Sequence, residues 1–200
     1  MSALFDRLSE HFARSTHVGF EGLRDDSEFA RQPLRDAAVL VPITERAEPG
    51  VLLTHRPESM ANHPGQVAFP GGKFEPGEDA VAAALREAEE ELSIDPAQVR
   101  VVGQATSFIT GTGFRLTPVL GVVPGDLPIR PDPREVADWF EAPLRHVLDR
   151  ENHKAKIGIF LGYERPYYEI DWQGHRIWGI TAGILAHLSH RLDWKELIDG

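Results

Sequence analysis

Residues 71–94 read GGKFEPGEDAVAAALREAEEELSI, and the remainder of the chain is organised around them. The stretch opens with paired glycines, turns at Pro76-Gly77 and continues as an Ala-rich segment that predicts a helix over 79–92. At about 100° per residue, Val81, Ala84, Leu85, Ala88 and Leu92 fall on one apolar stripe. Glu87, Glu90 and Glu91 lie beside it, because positions three and four apart are neighbours on a helix. One face is built to pack, and the adjacent face gathers carboxylates.

Gathering like charges is costly. Two carboxylates about 5 Å apart repel by roughly 3 kcal/mol at an effective dielectric near 20. No lysine occurs between Lys73 and Lys154 to relieve the repulsion at i+4. Taken alone, such a run reads as a solvated acidic face. A hard divalent cation with oxygen ligands is the other reading, since it converts the repulsion into attraction.

The residues around the run bear on this choice through a resemblance. Gly72 is followed by five residues and Glu78, then seven residues and Arg86-Glu87-Ala88-Glu89-Glu90-Glu91-Leu92-Ser93-Ile94. This segment, 72–94, resembles the Nudix box, Gx5Ex7REUxEExGU with U aliphatic, and every charged position of the pattern is filled. Two positions depart: Ala88 is small where an aliphatic residue is usual, and Ser93 stands where the pattern has Gly. That Gly suits a left-handed residue at a helix C-terminus, so keeping the conformation with Ser93 is expected to cost up to about 1 kcal/mol.

A second resemblance lies just upstream. Leu52-Leu53-Thr54-His55-Arg56, with Gly65, Phe69, Pro70, Gly71 and Gly72 at matching spacing, is similar to the LLTxR[SA]x3Rx3Gx3FPGG signature of the coenzyme A pyrophosphatases within the Nudix superfamily. Pro57 replaces its usual Ser or Ala, and Ala61 replaces its second Arg. Ile177-Trp178-Gly179-Ile180-Thr181-Ala182 is also similar to a Trp-Gly-aliphatic-Thr-Ala run of that subfamily. The resemblance spans roughly residues 37–188.

These resemblances imply an α/β fold, the Nudix α/β/α sandwich with a mixed sheet between helices. They imply Mg²⁺- or Mn²⁺-dependent hydrolysis of the coenzyme A diphosphate to 3′-phosphoadenosine 5′-phosphate and 4′-phosphopantetheine. The alternative substrate is ADP-ribose, NADH or another nucleoside diphosphate derivative. Glu87 and Glu91 are the implied primary metal ligands, Glu90 a further one, and the Gly71 carbonyl contributes. Glu78 and Arg86 are expected to pair and hold the 72–78 loop on the helix. Arg56 and Thr54 are the substrate-binding candidates, although Arg56 also reads as a surface arginine. Glu90, Glu91 and Glu135 all remain open as the general base. Glu135 is implied as an acidic residue outside the box that completes the site, against a solvated strand glutamate. His55 and His63 flank the signature loop, where either could meet ligand.

Composition sets the outer bounds. The chain of 200 residues, 42% hydrophobic and 26% charged, predicts one globular domain over 1–200 with the helix and loop of 1–35 as an extension. No apolar run approaches 18 residues, so no membrane partner is expected. The N-terminus lacks the form of a secretory leader and there is no cysteine, which fits a cytoplasmic location. A net charge of −10 argues against a nucleic-acid partner. The expected partner is the small diphosphate substrate, and the chain is a monomer or homodimer.

Outside the box, periodicity predicts a helix over 3–14 and strands over 37–44, 51–56, 67–69, 99–108, 116–123 and 135–140. Pro42 marks the first strand as an edge or as irregular. The glycines of 110–114 read as a turn, 124–133 as a proline-rich linker, and 143–148 as a short helix. Two strands are expected within 155–172, a turn at Gly174-His175, and a last helix over 178–191. Trp178 reads as core packing for that helix, with stacking on adenine the other role.

Overall fold

The computed structural model describes residues 3–14, 26–27, 30, 32–59, 65–160 and 162–199. The 15–35 loop therefore lies largely outside the described residues, as do Ala61 and His63. Two strands dominate: β1 (Arg35–Glu45) and β7 (Phe114–Pro124), which pair in parallel from Arg35↔Phe114 to Glu45↔Pro124. Around them are β2 (Gly50–His55), β3 (Val67–Ala68), β4 (Gly71–Lys73), β5 (Arg100–Gln104), β6 (Phe108–Ile109) and β8 (Asp138–Pro143). The backbone of this mixed sheet is ordered β3-β2-β1-β7-β5, with β4 on β1, β6 on β7 and β8 on β2, every pair but β1–β7 antiparallel.

Alternation along β1 divides the core. Val41 and Ile43 join one apolar cluster and Ala38 and Leu40 the other, as a side-chain period of two requires. The first cluster is covered by α1 (Ala3–Arg14), α3 (Leu144–Leu148), α4 (Gly179–Arg191) and α5 (Trp194–Asp199). The second is covered by α2 (Ala80–Leu92) through Ala80, Ala83, Ala84, Ala88 and Leu92. Helices on both faces of a mixed sheet give the expected α/β/α sandwich. Among the described residues, no helix is long and apolar enough to cross a membrane.

Several expectations change. Pro42 is not on an edge strand; it lies in the gap between the β1–β4 pairing, which ends at Val39, and the β1–β2 pairing at Ile43, where no ladder bond is asked of it. The strand expected over 99–108 breaks into β5 and β6, with a register shift between Val101 and Gly103. Gly71–Lys73 is a strand rather than loop. The strand expected at 135 starts at Asp138, leaving Glu135 in a turn.

A separate antiparallel sheet, β11-β10-β9, comprises β9 (Lys154–Phe160), β10 (Tyr163–Trp172) and β11 (His175–Trp178). Its last strand takes up residues expected to open the final helix, because Gln173 and Gly174 both adopt positive φ and reverse the chain tightly. Ile177, fully buried, faces the core, so the next residue along the strand points away from it. Trp178 is accordingly not a core residue: it meets Tyr167 edge-on at 5.9 Å and lies under the Arg176 guanidinium at 4.9 Å.

Candidate active site

The helix α2 begins and ends on identifiable signals. Asp79 caps its N-terminus by accepting from the Ala82 N–H at 2.9 Å. At the other end Ser93 adopts φ 57° and ψ 35°, the left-handed conformation the sequence pattern asks of a glycine. The Ser93 and Ile94 N–H groups donate back to the carbonyls of Glu89 and Ala88. Small side chains let the helix sit close on the sheet, and the buried face is rotated from the expected stripe. Ala80 and Ala83 are buried on it, whereas Val81 and Leu85 move to its flank. This rotation carries Glu91 inside, at 5% exposure, and leaves Glu87 half-buried.

Three carboxylates converge as a result. Glu87, Glu91 and Glu135 each present an oxygen within 4.8 Å of the others. Burial pushes the Glu91 carboxyl up to about 8, reinforced by the Glu87 charge and opposed by Arg56 and the Gly71 N–H. Glu87 is also raised by burial, against the pull of Arg86. Oxygen-only donors, one of them buried beside two like charges, fit a hard divalent cation. Such a cation, when bound, polarises phosphoryl oxygens and acidifies an attacking water.

Arg86 is the hub that holds the surrounding loop. Its Nε and Nη2 donate to Glu78 at 2.8 and 3.1 Å, Nη2 also to the Lys73 carbonyl at 2.9 Å, and Nη1 to Glu87 at 3.1 Å and Glu90 at 3.0 Å. Glu78 accepts the Glu75 N–H as well, and its pairing with Arg86 holds its carboxyl below the usual range. The expected Glu78–Arg86 pair is present. Glu90, expected among the ligands, is instead exposed and engaged by Arg86, outside the three-carboxylate cluster.

The glycines before the helix are there for approach. Gly72 lies so close to Glu87 that a Cβ would overlap the Glu87 carboxylate, and a Cβ on Gly71 would overlap the Ala38 carbonyl and come 2.6 Å from Val39 Cα. Replacing Gly72→Ala is therefore expected to push Glu87 off the cluster. Turnover should fall at least tenfold, with the melting temperature little changed; wild-type turnover would show that Glu87 is not needed where it stands.

Thr54 is a correction. Its side chain is 2% exposed and donates to the Ala68 carbonyl at 3.1 Å, so it ties β2 to β3 and does not face a ligand. Arg56, just past the end of β2, is held through its own backbone by Gln66 and Gly65, and its charge reaches Glu91. His55 Nε2 lies 2.8 Å from His175 Nδ1, and the His175 ring stacks on Phe140 at 3.9 Å, so this histidine links the two sheets.

Other supporting contacts were not legible in advance. Thr181 of α4 donates to the Val67 carbonyl at 2.9 Å, anchoring the strand that precedes the glycines. The 130–136 segment docks on the C-terminus of α2, where the Arg130 N–H donates to Leu92 and the Asp132 N–H to Glu91. Those are helix carbonyls that lack intrahelical partners, and free helix ends were a signal available in the sequence. The receiving segment was not.

The mixed sheet thus carries a clamped loop and, at one helix, a carboxylate cluster suited to a hard divalent cation. The NUDIX domain family matches residues 33–160. A Shigella flexneri serotype 5b (strain 8401) protein named "Uncharacterized Nudix hydrolase NudL" is 41% identical over 176 residues, covering 82% of this chain and 88% of the relative. Its namesake from Cronobacter sakazakii (strain ATCC BAA-894) is 40% identical over 185 residues, covering 88% and 92%. An Ap4A hydrolase binary complex from C. elegans aligns with TM-score 0.48 and 24% identity, over 56% of this chain and 82% of that one. The chain belongs to the Nudix family, and is a hydrolase acting on the pyrophosphate bond of a small diphosphate.

Proposed function

We propose that the substrate is coenzyme A or one of its derivatives, cleaved at the diphosphate to 3′-phosphoadenosine 5′-phosphate and 4′-phosphopantetheine. The observation that carries this reading is Arg56. It belongs to the Leu52–Arg56 stretch that resembles the coenzyme A pyrophosphatase signature, and its charge acts on the buried Glu91. Its Nε is enclosed without a hydrogen-bond acceptor among the described residues. A guanidinium in that state, beside a metal-binding carboxylate, suits a phosphate oxygen.

In this reading Glu87, Glu91 and Glu135 hold Mg²⁺ or Mn²⁺, with the Gly71 carbonyl beside them. Arg86 and Glu78 fix the loop that carries the glycines. Arg56 orients the diphosphate, and Glu135, the exposed member of the cluster, takes the proton of the attacking water. The departures at Pro57 and Ala61 favour the second reading, ADP-ribose, NADH or a related diphosphate.

Incubation of the purified protein with coenzyme A, ADP-ribose and NADH, in Mg²⁺ or Mn²⁺, separates the two. Coenzyme A turnover releasing 3′-phosphoadenosine 5′-phosphate is expected to dominate. Negligible turnover of it beside brisk ADP-ribose cleavage reverses the assignment.

A further inference from the structure

We propose that Ser93 is a positioning residue for the metal site, acting through the segment that delivers Glu135. The inference rests on the reading of Glu87, Glu91 and Glu135 as metal ligands. Its starting point is that a serine occupies a left-handed position, φ 57°, that the family pattern gives to glycine. The side chain retained there has a partner. Ser93 Oγ donates to the Arg130 carbonyl at 3.0 Å.

That bond lies at the front of a short, stiff connection to Glu135. Arg130 is gripped on both sides of its backbone, its N–H donating to the Leu92 carbonyl at 3.0 Å and its carbonyl accepting from Ser93. Two residues on, the Asp132 N–H donates to the carbonyl of Glu91, itself a ligand, at 2.9 Å. Asp132 then builds the turn: its carbonyl accepts from the Glu135 and Val136 N–H groups, and its carboxylate takes the Arg134 N–H and guanidinium. The far end is tied to β2, where Ala137 N–H donates to the His55 carbonyl at 2.8 Å.

The helix therefore supplies Glu87 and Glu91 directly, and supplies Glu135 indirectly through its own C-terminus. Glu135 comes from a turn, with no regular secondary structure of its own to fix it. Of the bonds at the docking point among the described residues, the Ser93 hydroxyl makes the one from a side chain. A glycine would accept the same backbone conformation and leave the Arg130 carbonyl without this donor.

Mn²⁺ titrations of the purified protein, followed by the electron paramagnetic resonance signal of free Mn²⁺, test this with no substrate present. Ser93→Gly is expected to weaken Mn²⁺ binding about fivefold, the effect of one hydrogen bond. Glu135→Gln should weaken it more, and the double variant should bind no more weakly than Glu135→Gln alone. Ser93→Asn should recover most of the loss, since asparagine tolerates the left-handed region and its amide can donate to Arg130. Wild-type affinity in Ser93→Gly, with Glu135→Gln impaired, overturns the role of Ser93 and leaves the metal site standing. Losses that add in the double variant also overturn it. Wild-type affinity in both Glu135→Gln and Glu91→Gln removes the metal-site reading, and this inference with it.

Discussion

Replacing Glu91→Gln is expected to cut turnover roughly a thousandfold while making the metal-free protein more stable at pH 8. The first effect follows from the proposed role of Glu91 as the buried ligand of three: glutamine keeps an oxygen there but removes the charge that draws a divalent cation. The second follows from the state of that carboxyl. Folding raises it from an ordinary 4.5 to about 8, chiefly by burial. Between those values the unfolded chain has released the proton and the folded chain keeps it, so the folded state binds more protons and loses stability as pH rises. Above about 8 both states are ionised and the loss levels off. Its size is on the order of a few kcal/mol. Thermal melts in EDTA from pH 5 to pH 8.5 should show a falling melting temperature for the wild type and a flatter one for Glu91→Gln. A variant that keeps wild-type turnover, or melts below wild type at pH 8 in EDTA, contradicts the account.

Replacing Arg86→Gln is expected to cost both activity and stability, in contrast to the divided effect at Glu91. The guanidinium joins Glu78, Glu87, Glu90 and the Lys73 carbonyl, so it connects the loop before the helix to the helix itself. Without it the half-buried Glu87 carboxylate loses its counter-charge and the Lys73 carbonyl its donor. The stability loss should be about 2 kcal/mol, seen as a melting temperature lower by roughly 4–8 °C. Turnover should drop by about a hundredfold or more if Glu87 is a ligand as proposed, because the loop that abuts it is released. Arg86→Lys should recover little, since an ammonium cannot span Glu78, Glu87 and Lys73 in one fork. Full recovery by lysine would mean that charge alone, and not the fork, organises the loop.

The contrast between Glu90 and Glu91 shows where sequence stops. Periodicity puts Glu87, Glu90 and Glu91 on one arc with equal claims on a metal. Which of them turns inward depends on how closely Ala80, Ala83 and Ala84 let the helix approach the sheet, and which is captured depends on Arg86 reaching Glu90. Neither is a property of the helix alone. Thr54 fails for a related reason: β2 is paired on both sides and covered on both faces, so alternation along it gives no outward direction. The helix, the left-handed position at its C-terminus and the Glu78–Arg86 pair are local, separated by a few turns of chain, and were legible. Glu135 was indicated only by resemblance, and its place in a turn docked on α2 depends on contacts between segments distant in sequence.

The long parallel pairing of β1 with β7 has a consequence for how the molecule is made. Registering Arg35 against Phe114 requires residues 46–113 to be looped out first, and that loop contains β2, both glycines and all of α2. Closing so long a loop costs entropy before any contact repays it, and topologies rich in such pairings fold slowly. The carboxylate helix lies inside the loop that this pairing closes, and that closure is expected to be the slow step of assembly. A divalent cation should bind only after that closure, so the rate at which the refolding chain acquires metal affinity should match the rate at which the central sheet forms.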